Sequence, residues 1–159
     1  MKFFGKTIEG PRPQTIVIPR GEDSAIVFTA KAVLNYDRFD ELCKEPDPPF
    51  VVNRREGTST KDLTDVKYRD KLETYQKRRM NWMLITALED TEGLEWDIVD
   101  PNNPETWDSF NKELRTSGFT QSEINMIIEG IMIANSMDEE KMKEARNRFF
   151  LSQQQKVES

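Results

Sequence analysis

Apolar residues in this chain fall into short stretches, and the period within each stretch indicates the element it forms. The most apolar is TQSEINMIIEGIMIAN, from Thr120 to Asn135. Ile124, Ile127, Ile128 and Ile131 recur at helical spacing on one face. Met126, Met132 and Ile133 widen the arc, and Ser122, Asn125 and Glu129 leave a polar stripe. Alternation of Ile124, Met126 and Ile128 also permits a strand, which β-branched residues favour. The T-x-x-E capping box of Thr120 and Glu123, the length and the break at Glu129-Gly130 decide for a helix. A helix apolar on nearly every side has to be enclosed, by other helices or by a partner.

Earlier in the chain the period shortens. Thr15 to Pro19 and Ala25 to Val33 are β-branched runs around Arg20-Gly21-Glu22-Asp23, which predicts a β-hairpin with Pro19 on an edge. Before it, Met1 to Gln14 reads as an arm anchored by Phe3 and Phe4. Asn35 is placed to cap a short helix with Tyr36, Phe39 and Leu42 along one stripe. Pro46-Asp47-Pro48-Pro49 then forces extended chain, with a third short strand at Phe50 to Val52.

The longest helical pattern runs from about Lys61 to Leu88. Tyr68, Leu72, Tyr75, Trp82 and Met83 share its face, Arg79 interrupts them, and beyond Met80 the residues turn apolar on most sides. That helix should be exposed at its start and buried at its end. Glu89 to Asn103 is a connector, pinned by Leu94, Trp96, Ile98 and Val99. Asn103 with Pro104 starts a helix whose stripe is Trp107, Phe110 and Leu114, and Ser117-Gly118-Phe119 has the form of a Schellman ending. Ser136 and Glu139 suggest a second capping box before a last helix striped with Met142, Ala145 and Phe149.

These elements predict an α+β fold, mainly α: an N-terminal β-hairpin with a short helix, then a long helix and a C-terminal helical bundle. The expected organisation is a small α+β part over 1–53, a linker over 54–64, a helical part over 65–151 and a flexible tail over 152–159.

Composition narrows the chemistry. Charged residues make up 33 % of the 159 and hydrophobic ones 36 %, a thin supply of core, so parts of the chain are expected to gain order in an assembly. The net charge of −6 argues against general nucleic-acid affinity. Histidine is absent, which removes Ser-His and Cys-His nucleophilic sites and His-liganded zinc. The single Cys43 can form neither an internal disulfide nor a cysteine-rich metal site. No apolar run reaches the length of a membrane span, and MKFFGKTIEG lacks a signal-peptide core, so a soluble, intracellular protein is expected.

Three acidic groupings are candidate metal ligands: Asp37, Asp40 and Glu41; Glu89, Asp90 and Glu92; Asp138, Glu139 and Glu140. None has the order of a calcium loop, and solvated or capping carboxylates account for them better. Lys77-Arg78-Arg79, with Tyr75 and Trp82 beside it, is either a solvated helix face, a clamp for nucleic acid or a seat for an acidic helix. No Gly pattern forms a phosphate cradle. The methionines at 80, 83, 126, 132, 137 and 142 fill an irregular core or line an adaptable binding groove. Neither a catalytic residue, a metal nor a cofactor is expected.

The run VLNYDRFDELCKEPDPPF, from Val33 to Phe50, resembles small proteins of tailed bacteriophages, as does WDIVDPNNPETWDSFNKELRTSGFTQSEINMIIEGIMIAN, from Trp96 to Asn135. The family is that of the tail assembly chaperones of long-tailed phages. The resemblance implies a non-enzymatic protein that binds the helical tape-measure protein, keeps it soluble, recruits tail tube subunits in the host cytoplasm and is absent from the mature virion. Neither nucleic acid nor membrane is expected as a partner, on the charge and hydropathy above, and homo-oligomerisation is left open. A permanent tail, neck or adaptor component of the virion is the alternative, and an enzyme of nucleic-acid metabolism using acidic residues and a divalent ion is a third reading. A surface combining Tyr75, Arg78 and Trp82 with Met126, Met132 and Ile133 is the expected partner-binding site, since Met and aromatic side chains tolerate varied partners.

Overall fold

The β-branched runs either side of the Arg20–Asp23 turn pair as expected. In the computed structural model, which describes residues 1–157, strand β3 (Gln14–Pro19) lies antiparallel to β4 (Ala25–Ala30), with Ile16 opposite Phe28 and Ile18 opposite Ile26. Two smaller hairpins accompany this one: β1 (Lys2–Phe3) with β2 (Lys6–Thr7), and β5 (Phe50–Asn53) with β6 (Thr58–Lys61). The helices are α1 (Asp37–Leu42), α2 (Val66–Ala87), α3 (Phe110–Thr116), α4 (Gln121–Ala134) and α5 (Glu139–Val157), with a 3-10 helix at Pro104–Ser109. The fold is therefore α+β and mainly α.

Two compact units divide the chain, and neither is continuous. The first comprises Met1–Val33, Ala87–Leu94 and Gly118–Ser159, and the second comprises Leu34–Thr86 and Glu95–Ser117. This partition differs from the serial one that the sequence suggests. The expected linker over 54–64 lies inside the second unit, where it supplies a turn with Gly57 at φ 64° and the whole of β6. Apolar periodicity misses β6 because Thr58–Lys61 is polar throughout; its pairing with β5 defines it.

In the first unit, period-two alternation turns Ile16, Ile18, Phe28 and Ala30 inward, and α4 lays Ile124, Ile127, Ile131 and Ala134 against that hairpin. The cover for the apolar arc is thus a two-stranded sheet. Ile128, at the margin of the face, is only half-buried. Close approach is set by Gly130, where a Cβ would stand 2.5 Å from Ile16 Cδ1. The capping box of Thr120 and Glu123 forms in full.

Two bridges hold neighbouring segments. The Thr91 hydroxyl accepts from the Thr29 N–H at 3.0 Å and donates to the Thr29 carbonyl at 3.2 Å. Asn135 accepts from the Val33 N–H at 2.8 Å and donates to the Lys31 carbonyl at 3.3 Å. The arm differs from expectation. Phe4 and Gly5 both take positive φ in the β1–β2 turn, and the Phe3 and Phe4 rings pack on each other at 4.8 Å while staying 69 % and 93 % exposed. They anchor nothing.

Ser136 also departs from its expected role. It stands at φ 55° in a Schellman ending of α4, in which the Met137 N–H donates to the Met132 carbonyl and the Ser136 N–H to that of Ile133. The α5 cap is Asp138, which accepts from the Lys141 N–H at 2.9 Å. Helix α5 continues through Val157, past the expected start of the tail at 152, and positions 158–159 lie outside the described residues.

In the second unit, α2 is capped by Asp65, which accepts from the Tyr68 N–H at 2.8 Å. Its burial rises along its length as the pattern implies, from exposed Val66 to buried Trp82–Ile85. Asn103 caps the 3-10 helix by accepting from the Glu105 N–H, with Pro104 first, and Trp107, Phe110 and Leu114 are buried as one stripe. Among the connector's expected anchors, Val99 is buried, Leu94 and Trp96 are half-buried and Ile98 is exposed. What fixes the connector is Glu113. This carboxylate, 5 % exposed, accepts from the backbone N–H groups of Asp97, Ile98 (3.2 Å) and Val99 (2.8 Å).

Candidate functional site

The region built from the second unit's own elements centres on Phe39 of α1, which is fully buried. Around its ring stand Tyr75 at 5.4 Å, Trp82 at 5.7 Å, Trp107 at 5.9 Å and Tyr36 at 6.4 Å. Arg79, which breaks the apolar stripe of α2 in sequence, places its guanidinium 4.2 Å from the centre of the Tyr36 ring. A cation over an aromatic face is attracted by the ring's negative quadrupole, so a charge in this stripe needs no carboxylate. The cluster consumes Trp82, which is 4 % exposed and offers no surface to a partner. Its place in the expected binding surface is therefore corrected: it belongs to the core, because its ring completes the packing of Phe39 and Tyr36.

Tyr75 and Arg78 stand differently. Both are half-buried and line one groove of about 350 Å³ with Thr74, Lys71 and Asp70 of α2 and with Cys43, Lys44 and Pro46 beyond α1. The 71, 74, 75, 78 spacing sets these side chains on one helical face. Arg78 Nε is buried and has no hydrogen-bond partner. Beside it, burial pushes the Cys43 thiol above its ordinary pKa, and the neighbouring Arg78 guanidinium opposes that shift. Cys43, Lys44 and Lys71 are absent from the sequence-based site. Helical spacing with Tyr75 and Arg78 is a signal for Lys71, whereas nothing in the sequence relates Cys43 and Lys44 to that face.

Met126, Met132 and Ile133 belong to the first unit. Met126 is 49 % exposed, whereas Met132 and Ile133 are half-buried. The first unit's electrostatic centre is Arg20, whose guanidinium makes a two-pronged bond to Glu123 and lies 5.0 Å from the Phe119 ring centre. Glu123 also accepts from the Thr120 N–H at 2.9 Å. The Arg20 hydrogen bond, helped by that backbone donor, lowers the Glu123 pKa to about 2.

The acidic groupings have local roles. Glu89 and Asp90 receive Lys31 at 2.7 and 3.2 Å, Glu41 receives Arg38 at 2.9 Å, and Asp138 caps α5. Among the described residues no group of three or more acidic or cysteine side chains is gathered to hold a metal. No helix of the described residues is long and apolar enough to cross a membrane.

Large apolar side chains also stand outside the core. On β5, Phe50, Val51 and Val52 are 64 %, 51 % and 64 % exposed. On α5, every position from Lys143 to Leu151 is exposed, including Phe150 and Leu151. Compared with protein-family models, curated proteins and solved structures, the chain matches none.

Proposed function

We propose that this chain is a non-enzymatic tail assembly chaperone of a long-tailed bacteriophage, acting in the host cytoplasm to hold the tape-measure protein and bring tail tube subunits to it. The identity of the partner rests on the resemblance over Val33–Phe50 and Trp96–Asn135. The observation that supports a holding role is the exposure of Phe50–Val52 on β5 and of Phe150 and Leu151 on α5, in a chain with little core to spare. Covering such side chains contributes roughly 1–2 kcal/mol each. A long amphipathic helix has an apolar stripe in need of such cover.

Coexpression with the tape-measure protein of the same phage tests this reading. The wild-type chain should keep that protein soluble. A variant carrying Phe50→Ser, Val52→Ser, Phe150→Ser and Leu151→Ser should stay folded by circular dichroism, because all four side chains are exposed, and should lose the protection. Equal protection by the folded variant would refute the holding role of these side chains. Stoichiometric copies of the wild-type chain in washed, complete virions would instead make it a structural component.

A further inference from the structure

The groove beside Arg78 is mainly cationic in a protein whose net charge is −6. Lys44, Lys71 and Arg78 line it against a single acid, Asp70. None of the three cations forms a salt bridge with an acid of the described residues. Tyr75 and Pro46 supply apolar wall, and Arg78 lines the groove with a guanidinium whose Nε is buried and has no hydrogen-bond partner. A cationic donor is satisfied most strongly by an anionic oxygen. A guanidinium grips a carboxylate with parallel bonds through its two terminal Nη groups as well as through its Nε edge, so the burial of Nε leaves the terminal edge for a partner's acid.

We infer that this groove receives an Asp or Glu side chain of a helical protein partner, gripped by Arg78 and neutralised at the rim by Lys44 and Lys71. About 350 Å³ holds one or two side chains. Tyr75 and Pro46 would flank the methylenes of the acid, as the edge of an apolar stripe requires. A nucleic-acid backbone fits less well. The chain's net charge of −6 repels a polyanion, and Asp70 stands at the same groove. The inference deepens the proposed function and rests on its premise that the partner is an amphipathic helix. It adds that the helix carries acids along the border of its stripe.

The test uses the full chain and two fluorescein-labelled helical peptides with the same leucine stripe, one bordered by glutamates and the other by glutamines. Affinity is read by anisotropy. Occupancy of the groove is read from the rate of Cys43 alkylation, since Cys43 is the only cysteine of the chain and lines the groove. The glutamate peptide should bind about tenfold more tightly than the glutamine peptide, as a charge-assisted bond supplies. It should also slow alkylation several-fold. Arg78→Gln should abolish the preference. Lys71→Gln, an exposed position that leaves packing untouched, should reduce it and guards against a folding defect in the first variant.

Equal affinity of the wild-type chain for both peptides, or tight glutamate binding without shielding of Cys43, overturns the inference. If the glutamate preference and the shielding hold while the tape-measure protein is left unprotected, the proposed partner falls and the groove stands. The reverse result removes the groove alone.

Discussion

Gly130→Ala sets two effects of known sign against each other. In an exposed helix, replacing Gly by Ala stabilises by about 1 kcal/mol, because Ala loses less backbone entropy on folding. Here the added methyl has no room. An ideal Cβ at 130 would lie 2.5 Å from Ile16 Cδ1 and closer still to Cγ1, while the Ile16 Cβ stands at 3.8 Å. Carbon atoms in contact prefer about 3.5–4.0 Å, so an ångström or more has to be found. Ile16 cannot yield it cheaply, being 7 % exposed and paired with Phe28 across the hairpin. Overpacking of this kind costs about 2–3 kcal/mol, which exceeds the helical gain. The variant should lose about 1–2 kcal/mol, lowering the melting temperature by about 3–6 °C. Ile16→Ala alone should cost about 2–4 kcal/mol by leaving a cavity. Added to that background, Gly130→Ala should be neutral or stabilising, since its methyl enters the vacated space. Thermal unfolding of the four proteins gives the coupling. A higher melting temperature for Gly130→Ala, or the same cost in both backgrounds, would refute the packing of α4 on β3.

Two further expectations follow from the polar interior and from pH. Glu113→Ala leaves the N–H groups of Asp97, Ile98 and Val99 without their acceptor and should cost about 3 kcal/mol in denaturant unfolding. Glu113→Gln, which keeps one acceptor, should cost about half as much, and Trp96, 5.8 Å from Phe110, should report the released connector by its emission. The Glu123 carboxylate is held at about pKa 2 in the folded state against an ordinary 4.5. Its contribution to stability is thus complete above pH 4.5 and disappears as pH falls through about 2. Melting temperature should therefore fall on acidification across that window more steeply in the wild type than in Glu123→Gln, and parallel curves would contradict the Arg20–Glu123 bond.

Local physics made much of this fold legible in the residues. The β-branched runs either side of Arg20–Asp23 specify a hairpin, a T-x-x-E box specifies where α4 begins, Asn103-Pro104 starts a 3-10 helix, and Trp107, Phe110 and Leu114 are buried together. Each depends on neighbours within one or two turns, and sequence records those directly. The tertiary structure decided what lies across from each element. It put a β-hairpin, and not another helix, over the isoleucines of α4, because Gly130 admits Ile16. It enclosed Trp82 with Phe39 and left Tyr75 and Arg78 on a groove with Cys43, although all three α2 residues fall on one helical stripe. It also made Glu113 an acceptor for three distant N–H groups and drew the two units from alternating segments. Burial of a side chain and satisfaction of a polar group are properties of whatever approaches through space. Periodicity along the chain carries only the direction each side chain faces.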